Sequence, residues 1–236
     1  MELDAKTIEA AVEKRRAGWP EIIVGAVVYI LSYYLGPPIV SAITHDSPVS
    51  SGIGLAVLSG IMGLLGFFAA FAIRLRAWPA FSVRAIPVRW IFIAFGFGLL
   101  ALILNQVVTI VYGLISGGSG TNVQGDYQSA THAGGPAFLL YLLGIAVLTP
   151  LGEEFLFRGV LATALTKYGS WVSVIGSTVF FALAHGINLA LIPAIVVGGI
   201  NGILLVRTKS VWPGVIVHAV NNGLGAILSL LIVSGG

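Results

Sequence analysis

The chain has 236 residues, of which 57% are hydrophobic and only 9% charged, with a formal net charge of +3 and a mean hydropathy of +1.00. A soluble domain is roughly a quarter charged, so the composition excludes a soluble domain on an anchor and predicts an all-α, polytopic transmembrane helical bundle. There is no cysteine, which excludes disulfides, thiolate nucleophiles and cysteine-ligated zinc.

Residues 1–18 are charged and mixed, with Glu9, Glu13, Lys14, Arg15 and Arg16 at helical spacing. They predict a short surface helix at the cytoplasmic boundary. No cleavable signal peptide is expected, because the first apolar stretch is too long and lacks a small-residue cleavage site. A span needs about 20 apolar residues. Spans are predicted over 20–44 and 52–73, separated by the polar turn His45-Asp46-Ser47-Pro48, and over 89–116. Residues 117–135, rich in Gly, Ser and Thr, read as a flexible outer loop. Further spans are predicted over 136–166, 171–187, 189–206 and 211–233, with a deep turn at Gly186-Ile187-Asn188. The expected total is about seven.

Of the twelve Lys and Arg residues, all but Arg158 fall on one side of this arrangement. Lys6, Lys14, Arg15 and Arg16 precede the first span. Arg74, Arg76, Arg84 and Arg89 follow the second. Lys167 follows the fourth, and Arg207 and Lys209 follow the sixth. By the positive-inside rule that side is cytoplasmic, with the N-terminus inside and the C-terminus outside. The positive charge is thus used in topology, so the lipid bilayer is an expected partner and nucleic acid is not.

Polar groups stand inside several spans. Glu153, Glu154 and Arg158 lie in the fourth, where each charge at the bilayer centre costs roughly 2.5–3.5 kcal/mol on insertion scales. Glu154 and Arg158 are four apart and share a helix face, so they are expected to pair. Glu153 points about 100° away and lacks a partner. Pro150 is expected to free a backbone carbonyl and bend the helix. Phe181-x-x-x-His185 ends the fifth span. His218-x-x-x-Asn222 places two polar side chains on one face of the seventh, with Asn221 turned away. Asn201 sits among Gly198, Gly199 and Gly202, where tight helix contact and an interhelical hydrogen bond are expected. His45 and His132 read as ordinary loop histidines.

A glutamate in a low-dielectric cavity suits a general base. An imidazole can hold and polarise a water, and a His and an Asn can stabilise an oxyanion. That inventory serves amide hydrolysis by activated water without a Ser or Cys nucleophile. The metal-assisted alternative binds zinc through Glu153, His185 and His218 and leaves a position open for water. The compact His-Glu-x-x-His signature is absent, and direct glutamate–histidine catalysis is the favoured reading, with no cofactor.

Glu153-Glu154-x-x-x-Arg158, Phe181-x-x-x-His185 and His218-x-x-x-Asn222, in order on late spans, resemble the CPBP family of type II CAAX prenyl endopeptidases and related bacterial (ABI) proteins. The resemblance covers roughly 136–233 and implies a membrane-embedded endopeptidase. It implies that Glu153 activates the water with His185, that His218 and Asn222 form the oxyanion site, and that Glu154, Arg158 and Phe181 shape the cavity. The expected organisation is therefore a surface helix over 1–18, N-terminal transmembrane helices and outer loop over 19–135, and a catalytic core over 136–233. The short chain looks like a bacterial member, which implies a bacterial cytoplasmic membrane. The implied substrate is a peptide or a membrane-associated protein. Two other readings use the same residues. One is a non-proteolytic scaffold or immunity protein that binds another membrane protein. The other is an ion-coupled transporter, although no pair of broken helices in related halves is visible.

Overall fold

The apolar stretches fold as helices, the form in which a segment satisfies its own backbone donors and acceptors within lipid. The structure is a computed structural model that describes residues 16–116 and 125–234. Nearly all of the surface helix expected over 1–18 lies outside the described residues. Eight helices follow in order. They are α1 (Trp19–Thr44), α2 (Pro48–Ile73), α3 (Val88–Ser116), α4 (Gly125–His132), α5 (Gly135–Tyr168), α6 (Ser170–Ala184), α7 (Leu191–Thr208) and α8 (Trp212–Ser234). A 3₁₀ turn at Trp78–Phe81 lies between α2 and α3. No strand occurs among the described residues.

Polarity is inverted relative to a soluble protein. Ile30, Leu31 and Leu35 of α1 and Ile110, Leu114 and Ile115 of α3 are more than half exposed, whereas Glu153, Glu154, Arg158, Asn201 and His218 are buried. A surface of this kind is solvated by lipid, and the ionisable groups face the bundle interior. The chain is an integral, multi-pass membrane protein.

Among the described residues six helices are long and apolar enough to cross a membrane: α1, α2, α3, α5, α7 and α8. The predicted fifth span, 171–187, differs. It forms α6, only 15 residues long, or about 22 Å against a hydrocarbon core of about 30 Å. Gly186, with φ of +82°, turns the chain at the end of α6. Asn188 clamps the turn, donating to the His185 carbonyl and accepting from the Ala190 N–H.

The predicted flexible loop is also corrected in part. Gly125–His132 is helical, and Ala130 packs with Ala56, Phe138, Tyr141 and Ala226. Gly52 of α2 lies against the Asp126 carbonyl, where any Cβ would collide. Tertiary contact has outweighed a loop-like composition. Residues 117–124 lie outside the described residues.

The basic side predicted from charge is one rim of the bundle. Arg16 donates to Thr166 at the end of α5, Arg74 shares a cavity with Lys167, and Ser210 before α8 donates to the Arg84 carbonyl. The opposite rim joins Thr44 to Ser51 and His132 to Ser229.

Two features of α5 set up its interior. First, it packs on α2 backbone to backbone. A Cβ on Gly60 would strike Leu148, and a Cβ on Gly152 would strike the Gly60 carbonyl. Second, α5 is not uniform. Residues Gly144–Leu148 and Phe155–Ala162 are π-helical, with an α-helical stretch at Thr149–Glu154 between them. In the i→i−5 register of the first π segment, Pro150 lacks the N–H that Ile145 would accept. The carbonyl freed at Ile145 is taken by the Asn222 side chain at 3.2 Å. Ser173 likewise donates to the Ala162 carbonyl at 2.7 Å, and Thr163 to that of Arg158 at 2.8 Å.

Candidate active site

Glu153 and Glu154 end the α-helical stretch of α5, between the π segments. Being adjacent, they face different neighbours. Glu154 faces α7 and α8. Its Oε1 accepts from Arg158 Nη1 and from His218 Nδ1, each at 3.2 Å. Arg158 also donates from Nη2 to the Gly198 carbonyl at 2.9 Å, and its guanidinium lies over the Phe181 ring at 4.4 Å. A side chain at Gly198 would crowd Arg158, Thr178 and Phe181. The predicted Glu154–Arg158 pair is therefore present, fully buried, and shared with a histidine.

Glu153 faces α2, α6 and α8. Its Oε1 accepts from the Ser59 hydroxyl at 2.7 Å. Its Oε2 is buried and has no hydrogen-bond partner. Two imidazole nitrogens stand just beyond hydrogen-bond reach of that oxygen, His185 Nε2 at 3.8 Å and His218 Nε2 at 3.9 Å.

The equivalence of depth has a simple origin. The turn at Gly169 joins α5 to α6, and Glu153 and His185 are equally far from it along the chain. Each is about 20 Å of helix from the basic rim. His185 caps α6, and its Nδ1 is 2.9 Å from the Phe181 carbonyl. A carbonyl can only accept, so Nδ1 carries the proton and Nε2 is left facing Glu153. The Phe181 ring, beneath both histidines, lies 4.7 Å from His185 and 5.8 Å from His218. The His185 side chain is 29% exposed, against 4% for Glu153 and 5% for His218. The α6–α7 turn is thus the side on which the cluster meets its surroundings.

The structure brings together six of the seven site residues expected from the motifs: Glu153, Glu154, Arg158, Phe181, His185 and His218. Asn222 is placed one turn beyond His218, with its amide held by the Ile145 carbonyl and by Asn221 Nδ2 at 3.0 Å. Asn221 turns toward α3, accepting from Asn105 at 2.8 Å. Asn201 donates to the Gly214 carbonyl at 3.2 Å, the interhelical bond expected of it. The Gly198-x-x-x-Gly202 face packs tightly on α6, against Thr178 and Val174. Ser59 and Asn105 escaped the sequence reading. Asn105 is a polar group at depth, the signal that marked Asn201. Ser59 offers only a hydroxyl beside Gly60 and Gly63 on a small-residue face.

The zinc alternative draws on Glu153, His185 and His218. The separations of 3.8 and 3.9 Å exceed the about 3.4 Å between neighbouring ligands at tetrahedral zinc. Among the described residues no group of three or more His, Cys, Asp or Glu side chains is disposed to hold a metal ion.

The interior of this membrane bundle thus holds a carboxylate, two imidazoles and a compensated charge pair. Residues 135–224, which hold every motif residue, match the family model described as type II CAAX prenyl endopeptidase Rce1-like. The resemblance carried by the three motifs is borne out over that segment, and the family is one of membrane proteases. No curated protein and no solved structure matches the chain.

Proposed function

We propose that the chain is an intramembrane endopeptidase that hydrolyses a peptide bond in a membrane-associated peptide or protein through water activated by Glu153. The observation that carries this reading is the unsatisfied Glu153 Oε2, buried and facing two imidazole Nε2 atoms. A water between them donates one hydrogen to Glu153 Oε2 and one to the lone pair of His185 Nε2. Glu153 takes the first proton as the water oxygen attacks the scissile carbonyl carbon. Ser59 fixes the carboxylate so that Oε2, not Oε1, is the base. After the tetrahedral intermediate forms, Glu153 returns the proton to the leaving amine nitrogen and the C–N bond breaks.

The buried cluster holds two carboxylates against one guanidinium. His218 sets Nδ1 against Glu154 Oε1 at 3.2 Å and turns Nε2 toward Glu153 Oε2. The second N–H of Asn222 donates to the oxyanion, and His218 lines the same side of the reacting carbonyl. Anchoring of the Asn222 amide on Ile145 and Asn221 orients it at no cost during the reaction. Substrate enters from the side of His185 and the α6–α7 turn. The bacterial cytoplasmic membrane is the proposed location.

Substrate trapping tests the reading. Glu153→Gln keeps the shape of the site and removes the base, so membranes carrying it should accumulate an uncleaved protein that the wild type converts. Identical protein fragments in cells with either form would leave the proposal without support and favour a binding role.

A further inference from the structure

At the basic rim a cavity of about 310 Å³ is bounded by Arg16, Ala17, Gly18, Trp19, Arg74 and Lys167. It lies about 20 Å of helix away from Glu153, and the proposed reaction does not use it. Three cations reach it from three separate stretches of chain, before α1, after α2 and at the end of α5. Arg74 spends Nε and Nη2 on Glu21, both at 2.9 Å, and Glu21 also accepts the Gly18 N–H at 2.8 Å. That carboxylate is therefore fully occupied. Arg16 has a neutral partner, donating from Nη1 to the Thr166 hydroxyl at 3.0 Å. Lys167 Nζ lies over the Tyr168 ring at 4.7 Å and within 5.9 Å of the Trp19 ring centre. Among the described residues neither Arg16 nor Lys167 has an acidic partner. Among the described residues, two positive charges thus face one cavity without compensation.

The location selects the anion. Trp19 is half exposed at the first turn of α1 and donates to the Tyr168 hydroxyl at 2.7 Å. Paired Trp and Tyr side chains at helix ends mark the headgroup level of a bilayer. Basic pockets between transmembrane helices on the cytoplasmic side take anionic headgroups. We propose that this cavity binds the phosphodiester of an anionic phospholipid from the cytoplasmic leaflet. Arg16 and Lys167 contact the phosphate oxygens, and Arg74 lines the inner wall. Arg16 is tethered to Thr166, next to Lys167, so the lipid would tie the start of α1 to the end of α5, the helix that carries Glu153 and Glu154.

The test uses the full chain in nanodiscs of phosphatidylcholine, with or without phosphatidylglycerol. Co-purified lipid is read by native mass spectrometry and stability by thermal unfolding. The wild type should retain phosphatidylglycerol and unfold at higher temperature when it is present. Arg16→Gln and Lys167→Gln should each weaken retention roughly fivefold, and the double variant should abolish it. Arg207→Gln and Lys209→Gln lie on the same rim but outside the cavity, and should leave retention unchanged. Equal retention by the double variant would overturn the proposal, as would equal losses in the Arg207 and Lys209 variants. Inorganic phosphate in phosphatidylcholine discs should give no stabilisation. If it matched phosphatidylglycerol, the ligand would be a free anion and the lipid assignment would fall. Should the double variant not fold, Arg16→Lys with Lys167→Arg decides. The proposal stands only if that pair keeps the lipid while the single Gln variants lose it.

Discussion

The Ser59 hydroxyl donates to Glu153 Oε1 at 2.7 Å, tying the glutamate of α5 to a helix outside the motif-bearing half of the chain. The contact exists because Gly60, Gly63 and Gly152 let the two backbones touch. A hydrogen bond to a charged group contributes about 1.5–3 kcal/mol. Ser59→Ala should therefore lower kcat roughly ten- to hundredfold with little change in KM. Unaltered kcat would show that Ser59 does not position the carboxylate.

The α2–α5 contact itself is open to test. Adding a methyl at Gly152 drives it into the Gly60 carbonyl, and overpacking of this kind costs about 1–3 kcal/mol. Gly152→Ala should lower the thermal midpoint in detergent and reduce activity together. Gly199→Ala, where no atom lies within 4 Å of the added carbon, is the matched control and should behave as the wild type.

Arg158 is buried between Glu154, the Gly198 carbonyl and the Phe181 ring. Removing its charge leaves Glu154 buried beside a histidine, and breaking a buried pair costs about 3–5 kcal/mol. Arg158→Met should fail to yield folded protein. Arg158→Lys should also be impaired, because an ammonium cannot bond both Glu154 and the Gly198 carbonyl while lying flat on Phe181. Size-exclusion profiles and unfolding temperatures decide, and a stable, active lysine variant would contradict this role.

The membrane bundle, the basic rim and the pairing of Glu154, not Glu153, with Arg158 were legible in the sequence. Span length, the Lys and Arg distribution and the four-residue spacing to Arg158 each have a direct physical reading. The shortness of α6 and the turn after it were legible, but residues 171–187 are apolar enough to be counted as a span, which α6 is too short to be. Its end is set by the turn at Gly186, with φ of +82°. The helix at Gly125–His132 was hidden because its stability comes from packing on Gly52 and Ala56, not from its own composition. The π register of α5 was half visible. Pro150 announced a freed carbonyl, but neither its identity as Ile145 nor its capture by Asn222 follows from spacing. For the same reason the anchoring of the Asn222 amide on Ile145 and Asn221 could not be seen.

Metal removal separates the two hydrolytic mechanisms that share these side chains. With Glu153 as the base, activity should survive exhaustive chelation, confirmed by elemental analysis of the active protein. Loss of activity that added zinc restores would contradict a metal-free reaction.

The central claim is that Glu153 is the base. Its most direct test is hydrolysis of the trapped substrate by purified wild type and Glu153→Gln in proteoliposomes, under single-turnover conditions. Removing the base should slow cleavage roughly 10²–10⁴-fold, with unfolding temperature and substrate affinity preserved. Cleavage by Glu153→Gln at the wild-type rate would contradict the account.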